Sequence, residues 1–403
     1  MKASALKRGI TLLAALLIVL VSVVPVLSAG TVRVFVEFKP GSQAAVRAEL
    51  QRAGAEIHYQ FDRLQSFVVS VPERALAGLS RNPNVVSIEA DPVRELVRNM
   101  PAPLPESILP EQVVPYGIDM VQARDVWDAN RDGKVDKKAP TGAGRTVCII
   151  DTGFYKDHED FVGVNVVGGY SQTNDDPALW TYDGYGHGTH VAGTIVAANN
   201  AYGVVGVTPG TTSLYIVKIF GDDGLWVSKA RASDLIEAAY LCSDGGANII
   251  SMSLGGGNPS GKEEQAFQSL YDAGILLVAS AGNDTSDILN YPAAYESVIS
   301  VAAIAEDTSL ASFSNWNEDV ELAAPGVAVL STLPFIAEGY VLVDDVEYTA
   351  LGMEFAAQGT IKLGATEPLS GTFKDIGERY LEGVQYAVKV LNEGGGLLGK
   401  KVE

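Results

Sequence analysis

Thr146-Val147-Cys148-Ile149-Ile150-Asp151-Thr152-Gly153 is a short, unbroken apolar run that ends on a carboxylate, a hydroxyl and a glycine. A run of that length bounded by a turn reads as a strand buried on both faces, with Asp151 at its carboxyl end. Working outward, the pattern repeats. Residues 213–219, 249–253, 275–280 and 298–302 are further apolar β runs, and helical patterns lie between them, opening near His187 and covering 233–241 and 263–273. Strand and helix in strict alternation imply an α/β domain with a parallel β-sheet and helices on both faces. Chemistry in such a domain belongs at the carboxyl ends of the strands.

The whole chain has 403 residues, enough for about two to three domains, which excludes a small disulfide-stapled scaffold. Acidic residues outnumber basic ones 49 to 29, and the net charge of −20 would repel a phosphate backbone, so nucleic acid is not an expected partner. With 47% apolar residues and 42 glycines, the composition is that of a turn-rich globular protein. Lys2, Lys7 and Arg8 precede an apolar run over 10–27, and the small residues Ser28, Ala29 and Gly30 follow. Residues 1–29 therefore read as a signal peptide, whose removal leaves a secreted product with no stable membrane span; an uncleaved anchor is the alternative. Export permits disulfides, but only Cys148 and Cys242 are present; they read as two buried free thiols, with a disulfide between them the alternative.

Residues 30–95 run strand, helix, strand, then strand, helix, strand: 32–38 alternates, 42–53 carries a helical stripe, 67–71 is a β run, 73–81 is helical and 85–89 closes the unit. This is the order of a ferredoxin-like α+β module, and it holds no catalytic constellation. Residues 96–110 contain Pro101, Pro103, Pro105 and Pro110 and read as an exposed linker.

Three motifs carry chemistry. Asp151 suits a buried orienting carboxylate. Gly186-His187-Gly188-Thr189-His190-Val191-Ala192-Gly193-Thr194 places His187 between glycines at the start of a helix, where a general base must be accessible. His190, one turn onward, is expected to pack inside. No glutamate of the zinc-protease pattern separates the two histidines, which argues against zinc. Val278-Ala279-Ser280-Ala281-Gly282-Asn283 brings an amide to the end of a buried strand, where Asn283 suits an oxyanion donor or, taken alone, a left-handed turn.

Together these motifs resemble the subtilisin-like serine proteases over residues 112–332. The resemblance implies Asp151 as orienting acid, His187 as general base and Asn283 as oxyanion donor. It also implies that Ser253, Leu254 and Gly255, with Ala281 and Gly282, form backbone walls for an extended polypeptide substrate. Residues 30–95 then look like the family's inhibitory propeptide, a partner carried in the same chain, with the maturation cleavage in the linker. A structural calcium is implied as well, held by side chains of Gln112, Asp160 and Asn200 and by carbonyls of Ala198, Tyr202 and Val204. Residues 128–136 read like the first nine positions of an EF-hand loop, but Ala139 stands where the bidentate glutamate belongs. A second calcium site and a solvated acidic turn both remain open there.

The pattern then breaks. In a catalytic domain spanning 111–335, the nucleophile should follow Ala324-Pro325-Gly326-Val327-Ala328-Val329-Leu330-Ser331-Thr332 in a Gly-Thr-Ser-Met-Ala segment, and no such segment is present. The nearest match, Leu369-Ser370-Gly371-Thr372, has Phe373 in the serine's place. Residues 336–360 are similar to the start of a protease-associated insertion, and 361–403 to the first βα unit of a periplasmic amino-acid-binding protein, with Ser370 matching a ligand-contacting serine. The chain stops inside that unit's second strand, which reads as a truncated or fused sequence. The expectation is a secreted serine endopeptidase precursor that is inactive as this chain. A noncatalytic peptide-binding relative and a protease/solute-binding-protein fusion are the alternatives.

Overall fold

The computed structural model describes residues 30–97, 111–173, 176–222 and 230–334, with the backbone alone of short strands at Tyr340–Val341, Thr349–Ala350, Gly352–Phe355, Thr360–Gly364 and Lys401–Val402. The signal-peptide reading, most of the linker and the Ser370 match lie outside the described residues. Among the described residues no helix is long and apolar enough to cross a membrane.

Residues 30–97 open with β1 (Thr31–Phe38), α1 (Gln43–Arg52), β2 (Glu56–Phe61), β3 (Ser66–Pro72), α2 (Leu76–Leu79) and β4 (Val85–Ala90). The four strands form an antiparallel sheet in the order β2-β3-β1-β4. Alternation sets its core: Val34, Val36, Phe38, Phe67, Val69 and Val71 turn to one face and cover Val46 and Leu50 of α1. A further strand, β5 (Val93–Leu96), leaves this sheet and pairs elsewhere, so ordered structure crosses the 95/96 boundary read from the sequence.

Two short helices, α3 (Tyr116–Met120) and α4 (Ala123–Trp127), precede the main domain, whose sheet has seven strands. These are β6 (Thr146–Asp151), β7 (Val166–Ser171), β8 (Ser213–Lys218), β10 (Ile249–Met252), β12 (Leu276–Ser280), β13 (Ile299–Ile304) and β14 (Leu322–Pro325). Their order is β14-β13-β12-β10-β6-β8-β7, and every adjacent pair is parallel. Between them come α5 (His187–Val196), the two-residue strand β9 (Ala230–Arg231), α6 (Ala232–Asp244), the two-residue strand β11 (Leu254–Gly255) and α7 (Gly261–Asp272). The period of two along β6 divides the core. Val147 and Ile149 face α5 with Ala192 and Val196, whereas Cys148 and Ile150 face α6 and α7 with Leu235, Ile236 and Phe267. Continuous apolar strands are required because both faces are covered. Asp151 is thereby carried to the carboxyl edge of a central strand.

The unit at 30–90 docks on the α6 and α7 side. Asp91 accepts hydrogen bonds from Ser233 N (3.0 Å) and Ser233 Oγ (2.7 Å), and Glu89 accepts from Ser260 Oγ at 2.6 Å. Each carboxylate meets the first turn of a helix, where backbone N–H groups lack intrahelical partners and the helix dipole is positive. Arg33 joins Asp91 (2.9 Å) to Asp234 (2.7 Å) across the same junction.

The cysteines correct the sequence reading. Cys148 on β6 and Cys242 on α6 are joined in a disulfide, with Cα atoms 5.6 Å apart and both residues fully buried. Ninety-four residues separate them in sequence, and only the packing of α6 across β6 brings them together. Titration of the unfolded, unreduced chain should therefore detect no thiol. Cys148→Ala/Cys242→Ala should lose about 2–4 kcal/mol of stability in denaturant titrations. Two titratable thiols would return the reading to free cysteines.

Candidate active site

At the carboxyl end of β6, Asp151 Oδ1 and Oδ2 lie 2.7 and 2.9 Å from His187 Nδ1. Asp151 has no solvent exposure and His187 is 8% exposed. Contact with Asp151 makes Nδ1 the protonated ring nitrogen and leaves Nε2 as the basic one. Burial works against a charged ring, but the Asp151 charge, its hydrogen bond and the Asp183 charge overcome it, and the His187 pKa stands above its ordinary value.

The approach depends on close backbone packing. A Cβ on Gly188 would fall 2.2 Å from Gly153 O and 3.2 Å from Asp151 Cβ, so only glycine admits the helix start so near the strand end. Thr152 Oγ1 accepts from Gly188 N (2.9 Å) and donates to Asp183 Oδ1 (2.8 Å). Asp183 also accepts from Gly186 N, Thr189 N and Thr189 Oγ1, and so satisfies the N-terminus of α5. Lys218, itself fully buried, donates to Thr152 O and to Asp222 Oδ1, and Gly184 N donates to the same Asp222 oxygen. Sequence reasoning missed Asp183, whose signal was an aspartate just ahead of the helix that His187 opens. His190 packs inside as its spacing predicts: it is 3% exposed, its Nε2 lies 3.0 Å from Val329 O, and burial lowers its pKa to about 4. Ser331 and Thr332 tie to the same helix through His190 O (2.6 Å) and Thr189 O (2.8 Å). The segment that should lead to the nucleophile is thus beside α5.

Two strands toward β14 from β6, β12 ends at Ser280 and runs on into Ala281, Gly282 and Asn283. Ala281 N donates to Val301 O and Asn315 N to Gly282 O, each at 2.9 Å, which fixes the turn carrying Asn283. The carboxyl ends of β6 and β12, one carrying Asp151 and the other leading to Asn283, therefore lie about 10 Å apart across two strand spacings. Between them β10 continues into Ser253, Leu254 and Gly255, and β11 is already paired. The order of that small sheet is β11-β5-β9, with Leu96 opposite Leu254, Glu95 opposite Gly255, Arg94 opposite Ala230 and Val93 opposite Arg231, all antiparallel. Val97 N donates to Ser253 O at 3.2 Å. The chain's own residues 93–97 lie along the wall that the sequence assigns to substrate.

The six residues that the resemblance assigns to calcium also meet. Gln112 Nε2 lies 2.8 Å from Ala198 O, 3.2 Å from Asn200 Oδ1, 3.5 Å from Tyr202 O and 3.4 Å from Val204 O. Four acceptors converge on an amide nitrogen with two hydrogens, and rotation of that amide would add its own oxygen to the ring. Asp160, 1% exposed, accepts from Val204 N at 2.9 Å, and burial holds its carboxyl above the ordinary range. A Cβ on Gly203 would fall 2.2 Å from both Asp160 oxygens, so glycine is needed there too. A surplus of hard oxygens beside a buried carboxylate fits a calcium ion. In the acidic segment, Asp128 is fully buried and accepts from Gly133 N, while Asp136 accepts from Ala129 N.

Comparison with known proteins agrees with this geometry. The model of the Subtilase family matches residues 142–359, just over half of the chain. The M-protease of Shouchella clausii (strain KSM-K16) is 33% identical over 301 residues, covering 74% of this chain and 70% of that protein. Subtilisin DY of Bacillus licheniformis is 39% identical over 227 residues, covering 55% of this chain and 76% of that protein. Among solved structures, the psychrophilic subtilisin-like protease Apa1 from the Antarctic psychrotroph Pseudoalteromonas sp. AS-11 shares 36% identity, with a TM-score of 0.47 over 57% of this chain and 49% of that one. Family model, relatives and a parallel α/β sheet with an Asp–His pair at its carboxyl edge converge: the chain belongs to the subtilase family.

Proposed function

We propose that the chain is the precursor of a secreted subtilisin-like serine endopeptidase, in which residues 30–95 inhibit a domain that cleaves polypeptides and this chain lacks the nucleophile. The observation that carries the reading is the contact of His187 Nδ1 with both Asp151 oxygens, at 2.7 and 2.9 Å, on the sheet edge that also bears the 253–255 wall. In the family's reaction a serine hydroxyl attacks the peptide carbonyl and its proton passes to the histidine. The carbon–nitrogen bond then breaks as the histidine returns that proton to the leaving amine, and water repeats the cycle on the acyl-enzyme. Asp151 holds the ring and favours its charged form, and Asn283 is assigned to the oxyanion. Residues 253–255 and 281–282 take the substrate backbone as an added strand, a mode nearly indifferent to side chains. With no Gly-Thr-Ser-Met-Ala segment in the chain, the attack step has no agent.

Purified chain should hydrolyse peptides no faster than its His187→Ala variant and should not react with a fluorophosphonate probe. It should also keep residues 93–111 uncut when secreted by a host without other proteases. Stoichiometric labelling, or a homogeneous new N-terminus between Val93 and Glu111, would mean that another serine serves as nucleophile.

Gln112, Asp160 and Asn200, with the carbonyls of Ala198, Tyr202 and Val204, are assigned to a structural calcium. The ion would supply positive charge to oxygens gathered from three separate segments and tie residue 112 to the α5 exit loop. Binding only to the folded state stabilises by mass action, about 2.7 kcal/mol at a hundredfold excess over the dissociation constant. The thermal midpoint should therefore rise by several degrees with calcium and fall with chelator, magnesium should do less, and Asp160→Ala should remove most of the response. A midpoint indifferent to calcium would remove the ion from the proposal.

A further inference from the structure

Arg94 is the largest side chain in the described structure with no solvent exposure, and it belongs to the strand that occupies the substrate wall. Exposure alternates along β5: Glu95 points outward, whereas Arg94 and Leu96 point into the domain. The Arg94 guanidinium meets Glu263 side on, Nε to Oε1 at 3.0 Å and Nη2 to Oε2 at 2.5 Å, while Nη1 donates to Val93 O at 3.0 Å. Glu263 is also fully buried, and it sits in the first turn of α7 behind Ser260. Tyr295 Oη donates to Glu263 Oε2 at 2.8 Å and accepts from Ser260 N at 2.9 Å. Two donors from one guanidinium and one from a tyrosine therefore hold the carboxylate in place.

The main domain contributes Glu263 and Tyr295, and β5 contributes the arginine. Remove β5 and Glu263 is left as a charge in a pocket shaped for a cation. We propose that Glu263 makes this pocket a specificity site, selecting extended peptides that carry arginine three residues before the residue whose N–H is held by Ser253 O. In this chain those positions are Arg94 and Val97. The inference rests on the reading of residues 253–255 as the substrate wall, and it adds the side chain that the wall's backbone pairing leaves unspecified. Arginine is favoured over lysine because its planar fork engages both carboxylate oxygens at once. An apolar residue in its place would bury Glu263 without a counter-charge, the costliest arrangement for an ionised group.

Peptide binding tests this without any need for catalysis. In the full chain carrying Arg94→Gly/Leu96→Gly, which weakens the hold on β5, fluorescence anisotropy would follow labelled Val-Arg-Glu-Leu-Val and its variants with leucine or lysine at the second position. The arginine peptide should bind at least about tenfold more tightly than either variant, and Glu263→Gln should erase the difference. Equal binding of all three peptides would overturn the specificity while leaving the cleft in place. No binding by any of them would overturn the cleft itself, and the inference with it. Should Glu263→Gln fail to fold, Arg94→Leu and Arg94→Lys in the otherwise native chain carry the test. Hydrogen-exchange protection at 95–97 should fall at least about tenfold in each, and be restored when Arg94→Leu is combined with Glu263→Leu. Unchanged protection in the single variants would overturn the proposal.

Discussion

Asp151 is a carboxylate with no solvent exposure at the end of a central parallel strand, and burial of that kind demands partners. His187 supplies one, and Thr152 N, 2.7 Å from Oδ1, supplies another. Contact with His187 requires the N-terminus of α5 to close on the end of β6, which is possible only because residue 188 has no side chain. That closeness would expose unpaired N–H groups at the helix start to a dry interior, and Asp183 answers it by accepting from residues 186 and 189. The site is a chain of obligations that begins with one buried charge. Its parts are not interchangeable, since loosening any of them leaves a polar group without a partner.

The same logic explains what could be read in the sequence. The central strands β6, β8, β10, β12 and β13 are apolar on both faces, so their runs are continuous and their positions follow from the letters alone. The edge strands β7 and β14 are not. Val166-Val167-Gly168-Gly169-Tyr170 carries two glycines and Leu322-Ala323-Ala324-Pro325 ends in proline, and each is paired on one side only. Asp151 and His187, which the fold brings together, could be picked out as candidates in the sequence, as could Asn283, because each sits next to a strand or helix boundary that its neighbours mark. Cys148 and Cys242 were misread, and Asp183 overlooked, for a different reason: their roles depend on contacts across the fold.

Arg94 and Glu263 show that limit most clearly. In sequence, Val93-Arg94-Glu95-Leu96 resembles a solvated stretch ahead of a proline-rich linker, and Glu263 resembles an ordinary acidic residue at a helix start. They stand 169 residues apart, and nothing local distinguishes them from exposed charges. Placed together they are a fully buried ion pair with both carboxylate oxygens engaged. Such a pair adds little net stability over apolar packing, but it is intolerant of a mismatched partner. Burial of charge therefore serves discrimination better than it serves stability.

The two kinds of contact along β5 then divide the work of recognition. Backbone pairing with Ser253, Leu254 and Gly255 on one side and Ala230 and Arg231 on the other holds β5, and on the proposed reading it would give any extended chain a place to lie. It carries almost no information about sequence. Docking of the 30–90 unit on the N-termini of α6 and α7 through Asp91 and Glu89 holds β5 near the wall and raises its local concentration there. Proximity and backbone pairing favour any strand at this position, and the arginine buried to zero exposure adds a side-chain contact that tethering alone does not supply. Glu263 and Tyr295 belong to the main domain, so on the proposed reading their pocket would remain if β5 were displaced. A free peptide receives no help from the tether, and for it the side-chain contact becomes a decisive part of the binding energy.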